Sequence, residues 1–235
     1  MEIIRSLRSQ IDRALRNSHT TGAATASSAQ GPMLVHDLWT AALDTTNAWT
    51  TSLVGTGTAA VAAVTRRRVC QLDCPAGADK AAIRSTRIFW SPTVASLTTD
   101  IYQQLVLEWE MALTSVANID NTRLAAGFGG SAPGERGDTG FIGFGLASDA
   151  LQSVTDSAGT ETETSIASAP TLTDFNKFKI VVRNAAVDFY VNDTLRNTHT
   201  ANLAAVPQFV TFSLRSEAAV AARMDVGAVR CYLLD

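Results

Sequence analysis

The sequence predicts an all-β antiparallel sandwich preceded by a short helical arm. Three observations carry this expectation. Short runs rich in Val, Thr, Phe and Ala recur between turn residues from about residue 35 onward. Several of these runs alternate apolar and polar residues, the period of a half-buried strand. After the arm, no helix-length apolar periodicity intervenes, so the strands have no crossover helices and must pair antiparallel.

The arm comes first. Ile3, Ile4, Leu7, Ile11, Ala14 and Leu15 recur at steps of three and four, with Arg5, Arg8, Asp12, Arg13 and Arg16 between them. This places an amphipathic helix within residues 1–17. The stripe also fits two heptads, which are marginal alone in water, so the helix needs a partner surface. Ile3, Ile4, Leu7, Ile11 and Leu15 are its candidate partner-binding residues. That surface is either the chain's own domain or another subunit. Residues 18–34, rich in Ser, Thr, Ala and Gly, read as a flexible linker. Residues 35–235 read as one domain.

Within that domain, residues 103–113 place Leu105, Leu107, Trp109, Met111 and Leu113 on one face. Val106, Glu108, Glu110 and Ala112 fall on the other, as in a long strand with one buried side. Residues 121–129 and 139–147 read as the next two strands, with a Gly-rich loop between them. Phe175–Arg183 is a strand, and Val187, Phe189 and Val191 alternate in the one that follows. Asn192-Asp193 forms a two-residue hairpin turn, because both residues tolerate positive φ. Leu195–Thr200, Pro207–Leu214 and Met224–Leu234 complete the series.

Composition excludes several classes. The chain has 235 residues and a net charge of −3. A domain of this length buries a full core without disulfides or metals. The near-neutral charge argues against a dedicated nucleic-acid binder. No run of about 18 apolar residues exists, so no membrane span is expected. The first residues lack a continuous apolar stretch, so no secretory signal is expected. Cys70, Cys74 and Cys231 form no disulfide framework and read as three reduced thiols, with one bridge plus one free thiol as the alternative.

The order of strands resembles the concanavalin A-like, or laminin-G-like, jelly roll. The residues that carry the resemblance are Glu108–Leu113, Gly127-Phe128 and Gly140–Phe144. Phe175–Ile180 followed by Val187–Asp193 carries it further, with Thr198–Thr200 and Met224–Arg230. The match is loose over residues 37–235 and closer over 175–230. Asp193 stands where the family usually has Gly. The version most resembled is the one on bacteriophage particles, and Asp156–Thr164 is similar in style to such sequences. The resemblance implies a virion protein of the capsid exterior or tail, made in the host cytoplasm.

Catalytic and ligand chemistry is sparse in the sequence. Glu108 and Glu110 share a strand face and are the candidate ligand face. The jelly-roll glycosidases resembled here carry Glu-x-Asp-x-Glu or Glu-x-Asp-x-x-Glu on that strand. Here Glu110 replaces the Asp and no third acid follows, so the pair reads as solvated acids. A Ser-His-Asp triad would need His36 or His199 beside a nucleophile and an acid, and nothing nominates one. Cys70 and Cys74 lack a second ligand pair for zinc. Asp120 with Asn118 and Asn121, and Asp138, Asp149 and Asp156, read as loop oxygens that match no calcium-loop pattern. No metal or cofactor is expected. Arg66-Arg67-Arg68 reads as a solvated strand end. Trp39, Trp49, Trp90 and Trp109 would offer a sugar platform if exposed.

The resulting expectation is a non-enzymatic virion structural protein, a capsid decoration or cement protein. Its arm would anchor it to the major capsid protein or other virion subunits, in a trimer. The alternatives are a carbohydrate-binding, lectin-like module of a phage tail fibre or receptor-binding protein, and a divergent glycosidase that would act through Glu108 and Glu110.

Overall fold

Alternation of buried and exposed side chains assigns nearly every run above to a strand. The computed structural model describes residues 30–64, 67–75, 77–86, 104–114, 122–130, 140–147, 150–204, 209–216 and 221–234. Among them are fifteen strands. The first five are β1 (Gln30–Asp37), β2 (Trp49–Val54), β3 (Thr58–Val64), β4 (Arg67–Cys74) and β5 (Lys80–Ser85). Next come β6 (Gln104–Thr114), β7 (Thr122–Gly129), β8 (Ile142–Ala147), β9 (Ala150–Ser157) and β10 (Thr160–Ser165). The last are β11 (Asn176–Arg183), β12 (Ala186–Val191), β13 (Thr194–His199), β14 (Phe209–Ser216) and β15 (Ala222–Leu234). The arm residues Ile3, Ile4, Leu7, Ile11 and Leu15 lie outside the described residues.

The strands form two antiparallel sheets. An eight-stranded sheet runs β13-β12-β11-β6-β15-β4-β3, with β1 also paired to β15. A seven-stranded sheet runs β10-β9-β8-β7-β14-β5-β2. Neighbours distant in sequence, such as β6 with β15 and β7 with β14, give the jelly-roll character expected from the sequence. Residues 30–34, read there as the end of the linker, form the start of β1. Gln30 pairs with Leu234 and Val35 with Cys231. The register shifts between Gln30 and Met33, around Pro32, which has no N–H to give to the ladder.

The core lies between the sheets and is built on rings. Trp109 of the larger sheet stacks on Phe178 at 5.6 Å, and meets Phe144 and Phe212 of the smaller sheet edge-on at 5.8 and 5.7 Å. Phe144 also meets Phe189 at 5.4 Å. Such pairs add about 0.5–1.5 kcal/mol each beyond area burial. The alternation read in β6 is borne out, since Leu105, Leu107, Trp109, Met111 and Leu113 all enter this core.

The hairpin turn is also as expected. Asn192 and Asp193 have φ of 51° and 61°. The Asp193 carboxylate is held from outside the turn. Its Oδ1 accepts from Lys177 Nζ at 2.8 Å, and Asn192 Oδ1 accepts from Lys177 N at 2.9 Å.

Candidate functional site

The outer face of the eight-stranded sheet carries Glu108 and Glu110. Neither stands alone there. Glu108 lies opposite Lys179 on one side and Arg230 on the other, and Glu110 lies opposite Lys177. Arg67 reaches Glu110 at 2.6 Å, with both side chains nearly half exposed. Lys179 Nζ sits 4.4 Å from the Tyr190 ring centroid. The hydrogen bond with Asp193 holds the Lys177 ammonium above its ordinary pKa and the Asp193 carboxyl below its own. This face is a solvated lattice of alternating charge, in which an exposed pair such as Arg67–Glu110 contributes about 0–1 kcal/mol. The tryptophans add no platform to it. Trp39, Trp49 and Trp109 are buried, and Trp90 lies outside the described residues.

The outer face of the seven-stranded sheet is built differently. Its core-facing residues are Leu124, Ala126 and Phe128 on β7, Ile142, Phe144 and Leu146 on β8, and Val210, Phe212 and Leu214 on β14. The alternate positions therefore face outward, and on β7 and β8 they are mostly glycine and alanine. Gly143 faces Gly127, which faces Thr211 across the next pair of strands. A Cβ on Gly143 would lie 2.4 Å from Phe141 Cζ and 2.5 Å from the Ala126 carbonyl oxygen. A Cβ on Gly127 would lie 2.3 Å from the Ile142 carbonyl oxygen. The floor is thus lowered to backbone, with the Phe141 ring lying over Gly143.

Polar groups flank this floor with capacity unspent. Asp156, at the end of β9, is fully buried. Its Oδ1 accepts from Gly159 N at 2.9 Å and Gly140 N at 3.4 Å, which fixes the carboxylate at the β9–β10 turn. Its Oδ2 has no hydrogen-bond partner. Gln152 Oε1, on the same face of β9, and Arg84 Nε, on β5, are also buried without partners. The Arg84 guanidinium lies 4.2 Å from the centroid of Phe209, the first residue of β14. Three of the six such atoms among the described residues lie on this one face. An unmet buried polar atom costs about 1–3 kcal/mol, so the face favours a ligand rich in donors and acceptors.

Asp156 also has a carboxylate neighbour. In the β9–β10 hairpin it is the register partner of Glu161, which is exposed. Directly opposed residues share a face, with Cβ atoms about 4.5–5.5 Å apart. In the sequence, Asp156 reads as a loop acid and the hairpin carries no strand signal. Its strands show little apolar alternation, and Thr-Glu-Thr-Glu-Thr is polar on both faces.

The remaining candidates are structural. His199 Nδ1 meets Thr155 Oγ1 and Nε2 meets Ser153 Oγ, both at 3.0 Å. Thr155 spends its proton on the Ala201 carbonyl at 3.0 Å. Ser153 Oγ likewise donates to the Thr164 carbonyl at 3.2 Å, so each hydroxyl bridges the ring and a backbone oxygen. This clasp joins β13 of one sheet to β9 of the other. Burial pushes the His199 pKa down, as fits a neutral ring. All three cysteines are free and buried. Burial pushes the Cys70 thiol up to about 12 and the Cys74 thiol up to about 11. Four residues along one strand face separates these two by about 13 Å, beyond disulfide reach. Asp120, Asp138, Asp149 and Arg66 lie outside the described residues.

No family model matches the chain, and no curated protein matches it. Solved structures do. A GH16 protein of the Bacteroides ovatus mixed linkage glucan PUL superposes with a TM-score of 0.63 at 10% identity, covering 84% of this chain and 99% of that one. The Bacillus licheniformis β-glucanase gives 0.59 at 12%, covering 87% and 99%. An alginate lyase from a Corynebacterium species gives 0.56 at 12%, covering 81% and 96%. These neighbours correct the expectation of a non-enzymatic capsid decoration protein. The chains that share the fold over nearly their whole length are named as carbohydrate-active enzymes. At such low identity the likeness is one of architecture: the chain has the concanavalin A-like jelly-roll sandwich of the GH16 glucanases.

Proposed function

We propose that the protein is a carbohydrate-active enzyme that takes a glycan along the outer face of its seven-stranded sheet. The observation that carries this reading is Asp156. It is buried, anchored through one oxygen, unpartnered at the other, and directly across from Glu161. Retaining glycoside hydrolysis needs two carboxyls about 5–5.5 Å apart, and opposed residues on a hairpin, with Cβ atoms about 4.5–5.5 Å apart, can bring their carboxyls to that spacing. Asp156 is the nucleophile in this reading. Its fixed carboxylate attacks the anomeric carbon while Glu161 protonates the departing glycosidic oxygen. Glu161 then takes a proton from the water that displaces Asp156. Phe209, half-buried at the start of β14, supplies apolar surface for a sugar ring, and Gln152 supplies an amide for hydroxyls.

The test is release of reducing ends from laminarin, lichenan and other β-glucans. Asp156→Asn and Glu161→Gln are each expected to lower the rate by about 100-fold or more, with folding checked by circular dichroism. Full activity in Asp156→Asn would remove the mechanism. Binding without turnover would keep the site and remove the chemistry. Neither binding nor turnover across the panel would remove both.

A further inference from the structure

The outer face of the eight-stranded sheet is charged around Glu108 and Glu110 and apolar at one end. Val106 on β6 stands directly opposite Val181 on β11 and Tyr232 on β15. All three point outward, because their chain neighbours, such as Leu105, Ile180 and Cys231, enter the core. They form an apolar cluster of their own, with Tyr190 and Leu234 packed against it. Val106 is nevertheless only 1% exposed, Tyr232 6% and Val181 8%. Two residues along β15 from Tyr232, Arg230 is exposed. All the described strands belong to the two sheets, so none of them lies over this outer face. An apolar patch this dry on the outside of a sandwich calls for a cover.

The chain itself brings one to the spot. Residues 1–29 precede β1, and Gln30 opens that strand opposite Leu234, beside the patch. The stripe of Ile4, Leu7, Ile11 and Leu15 belongs to a helix that is marginal until something covers it. From Ile4 to Leu15 such a helix rises about 16 Å. Leu234 to Tyr190, four residues along and three strands across, is about 20 Å. Residues 18–29 reach up to about 40 Å when extended, more than this span. A tether this short holds the arm at roughly millimolar effective concentration over its own sheet, which favours that sheet over a second copy. We infer that the N-terminal arm docks on the outer face of its own eight-stranded sheet, with Ile4, Leu7, Ile11 and Leu15 against the Val106–Val181–Tyr232 patch. The inference is independent of the glycan reading and puts the arm on the sheet opposite the glycine floor.

Hydrogen exchange of the full chain tests this. Amides of residues 4–16 are expected to exchange at least about ten-fold more slowly than in a free peptide of residues 1–17, equally at low and high protein concentration. Val181→Asp and Ile11→Asp are each expected to return them to the rate of the peptide. Ile11→Asp lies outside the sandwich and leaves its fold intact, so it decides the matter even where Val181→Asp fails to fold. It is expected to raise the fluorescence of an apolar dye as the patch is uncovered. Exchange at the peptide rate in the wild type would overturn the inference. Protection of residues 87–103 in its place, lost in Val181→Asp, would name that segment as the cover. Protection of the arm that disappears on dilution would give the patch to the arm of a second copy and overturn docking within one chain. Unchanged protection in a folded Val181→Asp, or unchanged dye fluorescence in Ile11→Asp, would overturn the assignment to this patch.

Discussion

The two outward faces of the sandwich divide its polar residues in opposite ways. On the eight-stranded sheet, each glutamate of β6 stands opposite a lysine, the lattice is solvated, and the charges cancel locally. On the seven-stranded sheet, the floor is glycine and alanine, and buried polar atoms lack partners. An acid in a strand therefore means little until its cross-strand neighbours are known. Glu108 and Glu110 share one strand face in the sequence, but the lysines and arginine that neutralise them appear only through pairing. The lattice around them is what a stable, solvent-facing sheet uses to avoid misregistration.

Substitutions separate the two faces most sharply. Gly127→Ala places a Cβ 2.3 Å from the Ile142 carbonyl oxygen, and the backbone has to move. A loss of about 3 kcal/mol is expected, measured by urea unfolding. A loss below 0.5 kcal/mol would mean that the floor yields and is not a rigid cradle. The equivalent intrusion on the other face is milder. Glu108→Gln with Glu110→Gln is expected to shift stability by about 1 kcal/mol or less, because exposed pairs contribute little.

Acidification probes the clasp between the sheets. The His199 pKa is lowered in the folded state by burial. The unfolded chain therefore binds the proton more readily. Stability is expected to fall as pH drops below about 6.5 and to go on falling until the folded ring protonates. Comparing denaturation midpoints at pH 7.5 and 5.5 in wild type and in His199→Gln checks this. The His199 contribution to the difference should vanish in the variant. The smallest effect belongs to the hairpin. Asp193→Gly gains the residue preferred at φ 61° but loses the contact with Lys177. A near-neutral change in thermal midpoint is expected, with weaker salt dependence than wild type.

Much of the eight-stranded sheet was legible in the sequence. The alternation in β6 and the sequence of β11 and β12 give both face and register, because a two-residue turn fixes which residues oppose. The seven-stranded sheet was not legible in the same way. Its outward face is assembled from Gly127, Gly143, Thr211 and Arg84, which belong to four separate strands and become neighbours only through pairing. The glycines were visible as strand residues, but what they made room for was not. Asp156 read as a loop acid because the hairpin it ends has no apolar stripe, and its buried state comes from the tertiary fold. The function expected from the family style of residues 156–164 failed for a related reason: a polar hairpin carries no information about chemistry until its opposed pairs are counted.

The place of β15 in the order of strands has a consequence for biosynthesis. It is the last strand of the sandwich, yet it lies inside the larger sheet, between β6 and β4, and also holds β1. That sheet cannot close while the ribosome is still translating residues 222–234. Until then, β6 and β4 expose unpaired edges to solvent. Folding must await the end of the domain and then join segments nearly two hundred residues apart, which is slow. Loss of the final dozen residues would remove an inner strand, so stop codons there should abolish soluble protein where similar lesions at an edge strand would not.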